Sequence, residues 1–388
     1  MKAVTRRADH DVELTAFGDL VFERSRVGLA GRGVAARCGI HDVDGVLAGI
    51  EVDDEVGLPG CGAVAFGALA FDPDGEATFV IPAEVHGRAE DGTRWHTAIA
   101  DAPASPPAPA RPPTPPSRFS VAPTRSPESW CELVEQATKS MTDGGLRKVV
   151  LAREVLVTAD EPFDHHTVLA RLQTTYPGCH VFCVDGFVGA SPELLVARAG
   201  DIVRSHPMAG TAPRGGDPTS DARLAASLLA SAKDRHEHQI TIDMVHDTLL
   251  PWCSYVDYEA EPSIVPVANV QHLATLVEGR LSSPPPSVLE LVRALHPTPA
   301  VCGHPREDAL AFIRAHEGFD RGRYAGTVGW IDGRGNGTWA VSVRCADIDG
   351  AVARVCAGNG IVADSDPETE LAETRAKFQA MLTALVRP

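Results

Sequence analysis

Residues 358–377 read GNGIVADSDPETELAETRAK, a glycine-containing segment followed by a helix-like run. Glu370, Glu373 and Lys377 stand three and four positions apart in this run, which places them on one face of an α-helix. Two carboxylates on one face suit a hard divalent cation, and the ammonium suits an anion. Gly358 and Gly360 form a short turn that we expect to present backbone N–H groups to a carboxylate. The stretch therefore predicts a helix beside a site for a metal ion and an anionic substrate.

A second acidic pair with the same spacing, Asp234 and Glu237, occurs in the sequence KDRHEH at residues 233–238. Two helices that each contribute such a pair could hold one Mg²⁺, which keeps positions open for water or substrate. Either pair could instead be an ordinary solvated helix face. His236 and His238 raise the alternative of zinc, but residues two apart on a helix do not face each other, and the pattern is not H-E-x-x-H. We therefore favour Mg²⁺ over Zn²⁺.

Two further residues could form an acid–base pair. Lys148 begins an apolar strand-like run, and Glu193 follows the turn residues of Gly189-Ala-Ser-Pro192. Each could be a solvated surface charge. In a cleft, a partly desolvated lysine could act as a base, and a carboxylic acid with a raised pKa could protonate a leaving hydroxyl.

Three other places could bind a carboxylate. Arg344 lies in an apolar strand-like run and could bind a carboxylate through two hydrogen bonds or form a structural ion pair. Tyr324 could donate to the same carboxylate, although a half-buried tyrosine needs no ligand. The segment 207–212, PMAGTA, is predicted to be a short turn whose backbone at Gly210 is open to an anion.

Composition limits the partners. The 388 residues carry 35 basic and 52 acidic side chains, a formal net charge of −17. Such a chain repels nucleic acid and anionic membranes, so neither is an expected partner. No run reaches the ~18 apolar residues of a membrane span, no secretory signal is recognisable, and nine cysteines without a C-x-x-C pair fit free thiols. We expect a cytoplasmic protein.

The chain divides at a proline-rich segment, residues 102–117, which cannot join a helix or a sheet interior. Residues 1–101 contain short β-like runs, and residues 118–388 mix strands with helices. The patterns predict helices over 128–142 and 217–250, and strands at 148–158, 180–185, 187–189, 323–331, 337–344 and 351–357. Strands without regular βαβ alternation favour an α+β fold with antiparallel sheets packed in layers and flanked by helices.

Ten stretches, taken in order, resemble the chorismate-utilising enzyme family. They are Lys148-Val-Val-Leu-Ala-Arg, Gly-Ala-Ser-Pro-Glu193-Leu-Leu, Met208-Ala-Gly-Thr-Ala, Lys233-Asp-Arg-His-Glu237-His, Val270-Gln-His272-Leu, Leu295-His-Pro-Thr-Pro-Ala-Val-Cys-Gly303, Tyr324-Ala-Gly-Thr-Val-Gly, Arg344-Cys-Ala, Gly358-Asn-Gly-Ile-Val and Glu370-Leu-Ala-Glu373-Thr. The family includes isochorismate synthases, salicylate synthases and anthranilate synthase large subunits. The resemblance covers residues 120–385 and implies the anthranilate synthase component I-like fold.

The resemblance also implies roles. Lys148 would activate a water that attacks C2 of chorismate, and Glu193 would protonate the departing C4 hydroxyl. Mg²⁺ would be held by Glu237 and Glu373, with Asp234 and Glu370 in support mostly through waters. Substrate binding would fall to a larger set: Gly210, Thr211, His272, Ala300, Val301, Tyr324, Arg344, Gly358, Gly360 and Lys377.

A few positions separate the subtypes. Aminodeoxychorismate synthases carry a nucleophilic lysine where this chain has Ala209, and anthranilate synthases carry glutamine where it has Lys148. The stretch 296–303, with Ala300 and Val301, looks most like isochorismate synthases, although leucine is common at the position of Val301. Salicylate synthases, which also eliminate pyruvate, remain the alternative enzyme, and a non-catalytic chorismate-binding protein remains the alternative outside catalysis. The resemblance implies a monomer without a glutamine amidotransferase subunit, and it leaves open whether the product feeds siderophore, menaquinone or salicylate synthesis.

Overall fold

The strands fall into three antiparallel-rich sheets. The computed structural model describes residues 1–100, 102, 114–142, 144–267 and 270–386. Its strands, in chain order, are β1 (Lys2–Arg7), β2 (Leu20–Arg24), β3 (Val27–Arg32), β4 (Ala36–Gly39), β5 (Glu51–Asp54), β6 (Val64–Leu69), β7 (Thr78–Ile81), β8 (Glu84–Arg88), β9 (Arg94–Ala100), β10 (Phe119–Pro123), β11 (Lys148–Ala159), β12 (His180–Val184), β13 (Phe187–Ser191), β14 (Leu194–Ala199), β15 (Ile202–His206), β16 (Met208–Pro213), β17 (Cys253–Tyr258), β18 (Ser263–Val267), β19 (Val270–Ala274), β20 (Val277–Leu281), β21 (Gly303–His304), β22 (Thr327–Asp332), β23 (Gly337–Val341), β24 (Cys345–Asp349) and β25 (Val352–Ile361).

The helices vary from one turn to five. They are α1 (Leu14–Phe17), α2 (Val43–Ala48), α3 (Pro127–Thr142), α4 (His165–Thr175), α5 (Pro218–Ala230), α6 (Ala232–Leu249), α7 (Val288–Leu295), α8 (Arg306–His316) and α9 (Pro367–Val386), with a 3₁₀ turn at Leu250–Trp252. Within the described residues, none of these helices is long and apolar enough to cross a membrane.

The two large sheets share one core. The first sheet has the strand order β10-β11-β25-β24-β13-β12-β2-β3-β8-β9-β1-β5, with β21 paired to β11, and the second has the order β17-β20-β15-β14-β23-β22-β6-β7-β4. Phe22 and Phe182 of the first sheet join Phe66, Phe79 and Trp339 of the second in one buried apolar cluster. Burial of these large side chains between the layers supplies the main apolar driving force of the fold. The prediction of an α+β fold with layered antiparallel sheets is confirmed.

Helices cover the outer face of the first sheet. Leu169 and Leu172 of α4 and Phe378 and Met381 of α9 form a second buried cluster with strand residues such as Val181. Helices α5 and α6 lie instead against the three-stranded sheet β16-β19-β18, and α6 also packs against β17 and β20 of the second large sheet. The helices predicted to carry the two acidic pairs, α6 and α9, therefore belong to different packing units.

The first hundred residues contribute strands to both large sheets. Strands β1, β2, β3, β5, β8 and β9 lie in the first sheet, and β4, β6 and β7 lie in the second. The proline-rich segment 102–117 falls mostly outside the described residues. The proposed division of the chain at this segment stays a prediction.

The single helix predicted over residues 217–250 is wrong. The structure has two helices, because Ser231 is extended (φ −70°, ψ 111°) and its side chain accepts a hydrogen bond from the Asp234 backbone N–H. Serine is favoured at such N-cap positions. Asp217 likewise caps α5, since its carboxylate accepts from the Ser220 backbone N–H. The break starts α6 only two residues before Asp234.

The strand boundaries near the end of the chain also differ from the prediction. Strand β22 begins at Thr327 rather than at residue 323, and β23 ends at Val341 rather than at residue 344. Ala325 and Arg344 have positive φ angles of 59° and 51°, so both lie in tight turns outside the strands. Strand β24 was not predicted.

Two segments predicted to be glycine turns are strands. Gly358 and Gly360 lie in β25, where they pair with Ala152 and Val150 of β11. Gly210 lies in β16 at a register shift against β19, with a φ of 78° that glycine adopts easily. In place of the predicted turns, Gly358 and Gly360 therefore form part of a strand surface, and Gly210 lies in a β-bulge.

Candidate active site

One cavity of about 250 Å³ collects the residues singled out in the sequence. Its lining includes all of them: Lys148, Glu193, Gly210, Thr211, Asp234, Glu237, His272, Ala300, Val301, Tyr324, Arg344, Gly358, Gly360, Glu370, Glu373 and Lys377. Strands β11 and β25 of the first large sheet and β16 and β19 of the three-stranded sheet form one wall, and α6 and α9 contribute the acidic groups of the other. The roles proposed for these residues stay predictions, whereas their convergence is a property of the fold.

Lys148 begins β11 and is paired with a carboxylate. Its Nζ atom lies 2.6 Å from Oε1 of Glu237, although 89 residues separate the two in sequence. Burial alone would raise the pKa of Glu237, but the charges of Lys148, Lys233 and Lys377 and the hydrogen bond from Lys148 bring that pKa below its ordinary value. The ion pair therefore holds an ionised carboxylate against an ammonium.

The glycines of β25 make room for this lysine and for a ligand. A Cβ atom on Gly360 would lie 2.8 Å from Cε of Lys148, and one on Gly358 would lie 3.1 Å from the Tyr324 hydroxyl oxygen. Side chains here would fill the cavity. Gly358 is required for space, because its Cβ would also lie 2.6 Å from the Leu151 carbonyl oxygen, whereas at Gly210 the positive φ is the stronger constraint.

Glu193 lies at the junction between β13 and β14, as predicted, and is only 6% exposed. Its backbone N–H donates to Oγ of Ser191, 3.2 Å away, which fixes the turn. Burial raises the pKa of Glu193 to about 7, against the opposing effects of a Met208 backbone hydrogen bond and the charges of Lys148 and Arg344. A carboxyl group with this pKa can both donate and accept a proton near neutral pH.

Arg344 has a histidine for its partner. Its Nη2 atom lies 2.9 Å from Nε2 of His272, and a guanidinium can only donate, so Nε2 accepts. The imidazole proton then lies on Nδ1, which is 3.3 Å from the Gly210 carbonyl oxygen and 3.0 Å from Oγ1 of Thr211. Burial, with the charges of Arg344 and Lys377, lowers the pKa of His272 to about 3, so this ring is neutral.

The arginine is therefore free to bind an anion. Among the described residues, no carboxylate lies within ion-pair distance of Arg344, so its alternative role as half of a structural salt bridge is not seen. Burial lowers the pKa of Arg344, which nevertheless stays charged because arginine ionises far above neutral pH. A half-buried guanidinium without a counter-ion is an electrostatic site for a substrate carboxylate.

Tyr324, Ala300 and Val301 complete the sheet-side wall. Tyr324 is 8% exposed, and burial raises the pKa of its hydroxyl, which therefore stays a hydrogen-bond donor. Ala300 and Val301 lie between α7 and β21. The guanidinium of Arg321 donates to the carbonyl oxygens of Val301 (3.0 Å) and Val150 (2.6 Å), and so ties this turn to β11.

The second wall is acidic. On α9, Lys377 lies 2.8 Å from Oε1 of Glu373 and donates to the Gly358 carbonyl oxygen at 2.9 Å. Burial is the largest cause of the raised pKa of Glu370. Asp234 and Glu237 approach the same space from α6. The shared helix face predicted for Glu370, Glu373 and Lys377 is present.

The carboxylates do not form a tight cluster. Within the part of the chain that the structure describes, no three acidic, histidine or cysteine side chains are close enough to bind one ion together. The donor set is nevertheless all oxygen, and Mg²⁺ in enzymes usually takes only one or two carboxylates, with water and substrate oxygens for the rest. The carboxylates on this wall therefore fit Mg²⁺ held partly through water.

Among the cavity-lining residues that sequence reasoning missed are two polar side chains, those of Lys233 and Ser365. Lys233 stands at the rim, where its Nζ atom lies 3.3 Å from Oδ1 of Asp364, and Ser365 lines the cavity between β25 and α9. Both occur in the motifs quoted above or next to them. Their proximity to Asp234 and Glu370 in sequence was the available signal.

Comparison with known proteins identifies the family. Residues 83–386 match the model of the family described as chorismate binding enzyme. The chain is 42% identical over 341 residues to a Mycobacterium tuberculosis protein provisionally named isochorismate synthase MenF, which covers 84% of this chain and 87% of that protein. It is 39% identical over 330 residues to isochorismate synthase DhbC of Bacillus subtilis, which covers 82% and 80% of the two chains.

A solved structure agrees with both matches. The structure of a Bacillus anthracis protein, provisionally named 2,3-dihydroxybenzoate-specific isochorismate synthase DhbC, has a TM-score of 0.79 and 34% identity to this chain and covers 97% of each. The resemblance drawn from the ten motifs is confirmed. The chain belongs to the chorismate binding enzyme family.

Proposed function

We propose that this chain is an isochorismate synthase, an isomerase that converts chorismate to isochorismate reversibly. The names of its relatives support this function. The observation that carries it is the presence, in one cavity, of Lys148 and of a buried Glu193 with a pKa of about 7. Moving a hydroxyl from C4 to C2 requires a base for the incoming water and an acid for the leaving hydroxyl.

In each direction of the reaction, one of the two residues accepts a proton and the other donates one. In the forward direction, Lys148 as the amine takes a proton from the water that attacks C2, and Glu193 gives its proton to the departing C4 hydroxyl while the ring double bonds shift. Afterwards Lys148 is an ammonium and Glu193 a carboxylate. The reverse reaction starts from that state, so the reactive pair carries one proton in both directions.

Arg344 and neighbouring polar groups would bind the substrate. Arg344 and Tyr324 would hold the enolpyruvyl carboxylate, with the backbone near Gly358 and Gly360 close to the same group. The neutral His272 fixes Arg344 without competing for the anion. Gly210, Thr211, Ala300, Val301 and Lys377 would complete the pocket. Because the chain has a net charge of −17, such local positive groups are needed to attract a dianion.

The acidic wall would hold Mg²⁺. Glu237 and Glu373 are the proposed direct ligands, and Asp234 and Glu370 support the ion mostly through waters. When bound, the ion would neutralise the ring carboxylate and draw electron density from the ring as a Lewis acid. Lys148 and Lys377, which pair with Glu237 and Glu373, would then share or yield these carboxylates.

Chorismate is the proposed substrate, and the remaining expectations about partners stay predictions. These are a monomeric state, the absence of a glutamine amidotransferase subunit and a cytoplasmic location.

The function is tested by incubating the purified protein with chorismate, with and without Mg²⁺, and resolving the products by chromatography. We expect the same final ratio of isochorismate to chorismate whichever of the two is the starting compound, and we expect this conversion only when the metal is present. The Glu193→Gln variant is the matched control for contaminating activity.

Two outcomes would change the assignment. Salicylate with pyruvate would make the protein a salicylate synthase that uses the same residues with an added elimination. Chorismate binding without turnover would make it a binding protein and would remove the catalytic roles of Lys148 and Glu193.

A further inference from the structure

Asn359 stands between the two cavity glycines but faces the other way. Neighbouring residues of a strand point to opposite sides, so Gly358 and Gly360 line the cavity while the side chain of Asn359 points toward α9. It is only 2% exposed. The function proposed above gives this buried amide no role.

The amide of Asn359 is bonded to Glu370 twice. Its Nδ2 atom donates to the Glu370 backbone oxygen at 2.8 Å and to Oε2 of the same residue at 2.9 Å. Ser365 Oγ donates to the other carboxylate oxygen, Oε1, at 2.8 Å. Both oxygens of Glu370 therefore accept a hydrogen bond from a neutral donor.

The orientation of the amide is dictated by these contacts. Oδ1 of Asn359 is buried without a hydrogen-bond partner among the described residues, so the oxygen gains nothing from its own surroundings. A flipped amide would place Oδ1 against two acceptor oxygens of Glu370. The side chain is thus held as a donor toward α9.

Neutral donors orient Glu370 without cancelling its charge. Glu237 and Glu373 are each held by a lysine ammonium, at 2.6 and 2.8 Å, which an incoming cation must displace or share. Glu370 needs no such exchange. Each of its oxygens keeps a lone pair for a cation or for a water bound to that cation.

We propose that Asn359 is a positioning residue, which together with Ser365 fixes the carboxylate of Glu370 as a standing acceptor for Mg²⁺ or one of its waters. The inference rests on the proposed function, because it requires the acidic wall to bind the metal. It adds a residue of β25, behind the substrate wall, to the set that determines metal affinity.

The test is titration of the purified protein with Mg²⁺ by calorimetry, in the presence of chorismate, together with the Mg²⁺ dependence of turnover. Asn359→Leu keeps the branched shape of the side chain and removes its donor. Loss of a group that orients a metal-binding carboxylate typically weakens metal binding by roughly 10- to 100-fold. We expect the Mg²⁺ dissociation constant to rise at least about tenfold, with the maximal rate at saturating Mg²⁺ changed much less. Ser365→Ala should shift the constant in the same direction.

Thr374→Val is the matched control. The Thr374 hydroxyl accepts a 2.9 Å hydrogen bond from Arg153 and so also docks α9, and it donates to the Leu371 carbonyl oxygen rather than to the Glu370 carboxylate. This variant should lower the melting temperature without changing the Mg²⁺ constant. Asn359→Ala replaces the leucine variant if that protein does not fold.

The outcomes are distinguishable. If the Asn359→Leu variant bound Mg²⁺ as tightly as the wild-type protein does, this inference alone would be overturned. The same would follow if Thr374→Val weakened Mg²⁺ binding as much as Asn359→Leu does. Wild-type protein that neither binds Mg²⁺ nor converts chorismate would overturn the proposed function and this inference together.

Discussion

The two walls of the cavity are stabilised in opposite ways. On the sheet side, Glu193 and Arg344 are held by the backbone and by a neutral histidine, and they keep their full capacity for a substrate. On the helix side, Glu237 and Glu373 are half-exposed carboxylates whose charges are already met by lysines. The first wall therefore relies on uncharged partners, and the second relies on ion pairs with lysines.

This difference predicts which groups act on the substrate directly and which act through the metal. Groups that need no rearrangement before the reaction stabilise a transition state most effectively. Groups paired with an ammonium must exchange that partner first, so their contribution depends on the supply of metal. We therefore expect changes in the sheet-side wall to alter chemistry or substrate affinity directly, and changes in the acidic wall to act through Mg²⁺.

The largest effect is expected for Glu193→Gln, which removes the proposed acid while keeping its size. General acid–base catalysis contributes about 10²- to 10⁴-fold, so kcat should fall by that range. Binding of chorismate, measured by calorimetry, should change little, because Glu193 is not among the residues proposed to bind the substrate carboxylates. A variant with wild-type kcat would show that the acid lies elsewhere.

Removal of the metal should be nearly as damaging to activity and almost harmless to the fold. Chelation should reduce turnover at least about 100-fold, because the Lewis-acid contribution of a metal is worth several kcal/mol. The melting temperature should stay within a few degrees, because Lys148 and Lys377 neutralise the two nearest carboxylates. Added Mg²⁺ should restore the rate.

The comparison would fail in either of two ways. Full activity after exhaustive chelation would remove the cation from the acidic wall. If scanning calorimetry showed that the protein unfolds when the metal is chelated, the lysine ion pairs would not be enough to neutralise the carboxylates of the acidic wall.

Arg344→Met should weaken substrate capture. Hydrogen bonds to a charged group contribute about 1.5–3 kcal/mol, which corresponds to a loss of roughly 10- to 150-fold in kcat/KM for chorismate. Lys233→Met is the control for loss of one positive charge, because this exposed lysine pairs only at the rim with Asp364. Exposed pairs are worth about 0–1 kcal/mol, so its kcat/KM should change less than about fivefold. Equal losses in the two variants would mean that general electrostatic attraction, and not a specific contact with Arg344, captures the substrate.

The spacing of residues along the chain correctly predicted features that depend only on neighbours in sequence. The shared face of Glu370, Glu373 and Lys377 follows from helix periodicity, and the position of Glu193 between two strands follows from its turn residues. The break at Ser231 was missed because an N-cap serine and a helix-interior serine look alike until the backbone is seen. The strand conformation of Gly358 and Gly360 was missed because pairing with β11 overrides the local preference of glycine.

Contacts between distant residues were out of reach. The Lys148–Glu237 pair spans 89 residues and the Arg344–His272 contact spans 72, and no pattern in the sequence links either pair. The family resemblance placed these residues in one site, but it did not say that a lysine holds a proposed metal ligand or that a neutral imidazole orients the arginine. Those details depend on how the three sheets meet.

The smallest expected effect is a pH dependence that belongs to the sheet-side wall. Burial raises the pKa of Glu193 to about 7, so this group gains a proton as the pH falls through 7. The reaction in either direction starts with one proton on the pair Lys148 and Glu193, so a second proton taken up as Glu193 titrates leaves neither direction with a base. We expect kcat/KM to fall about tenfold per pH unit below 7.

Forward and reverse rates provide the control. The isomerisation neither releases nor takes up a proton, so its equilibrium constant is independent of pH and both directions must lose kcat/KM by the same factor. The limb near pH 7 should be absent from the residual activity of Glu193→Gln, measured at saturating Mg²⁺. A limb that persists in this variant, or one centred near the ordinary pKa of glutamate, would show that another group titrates and that Glu193 is not the acid.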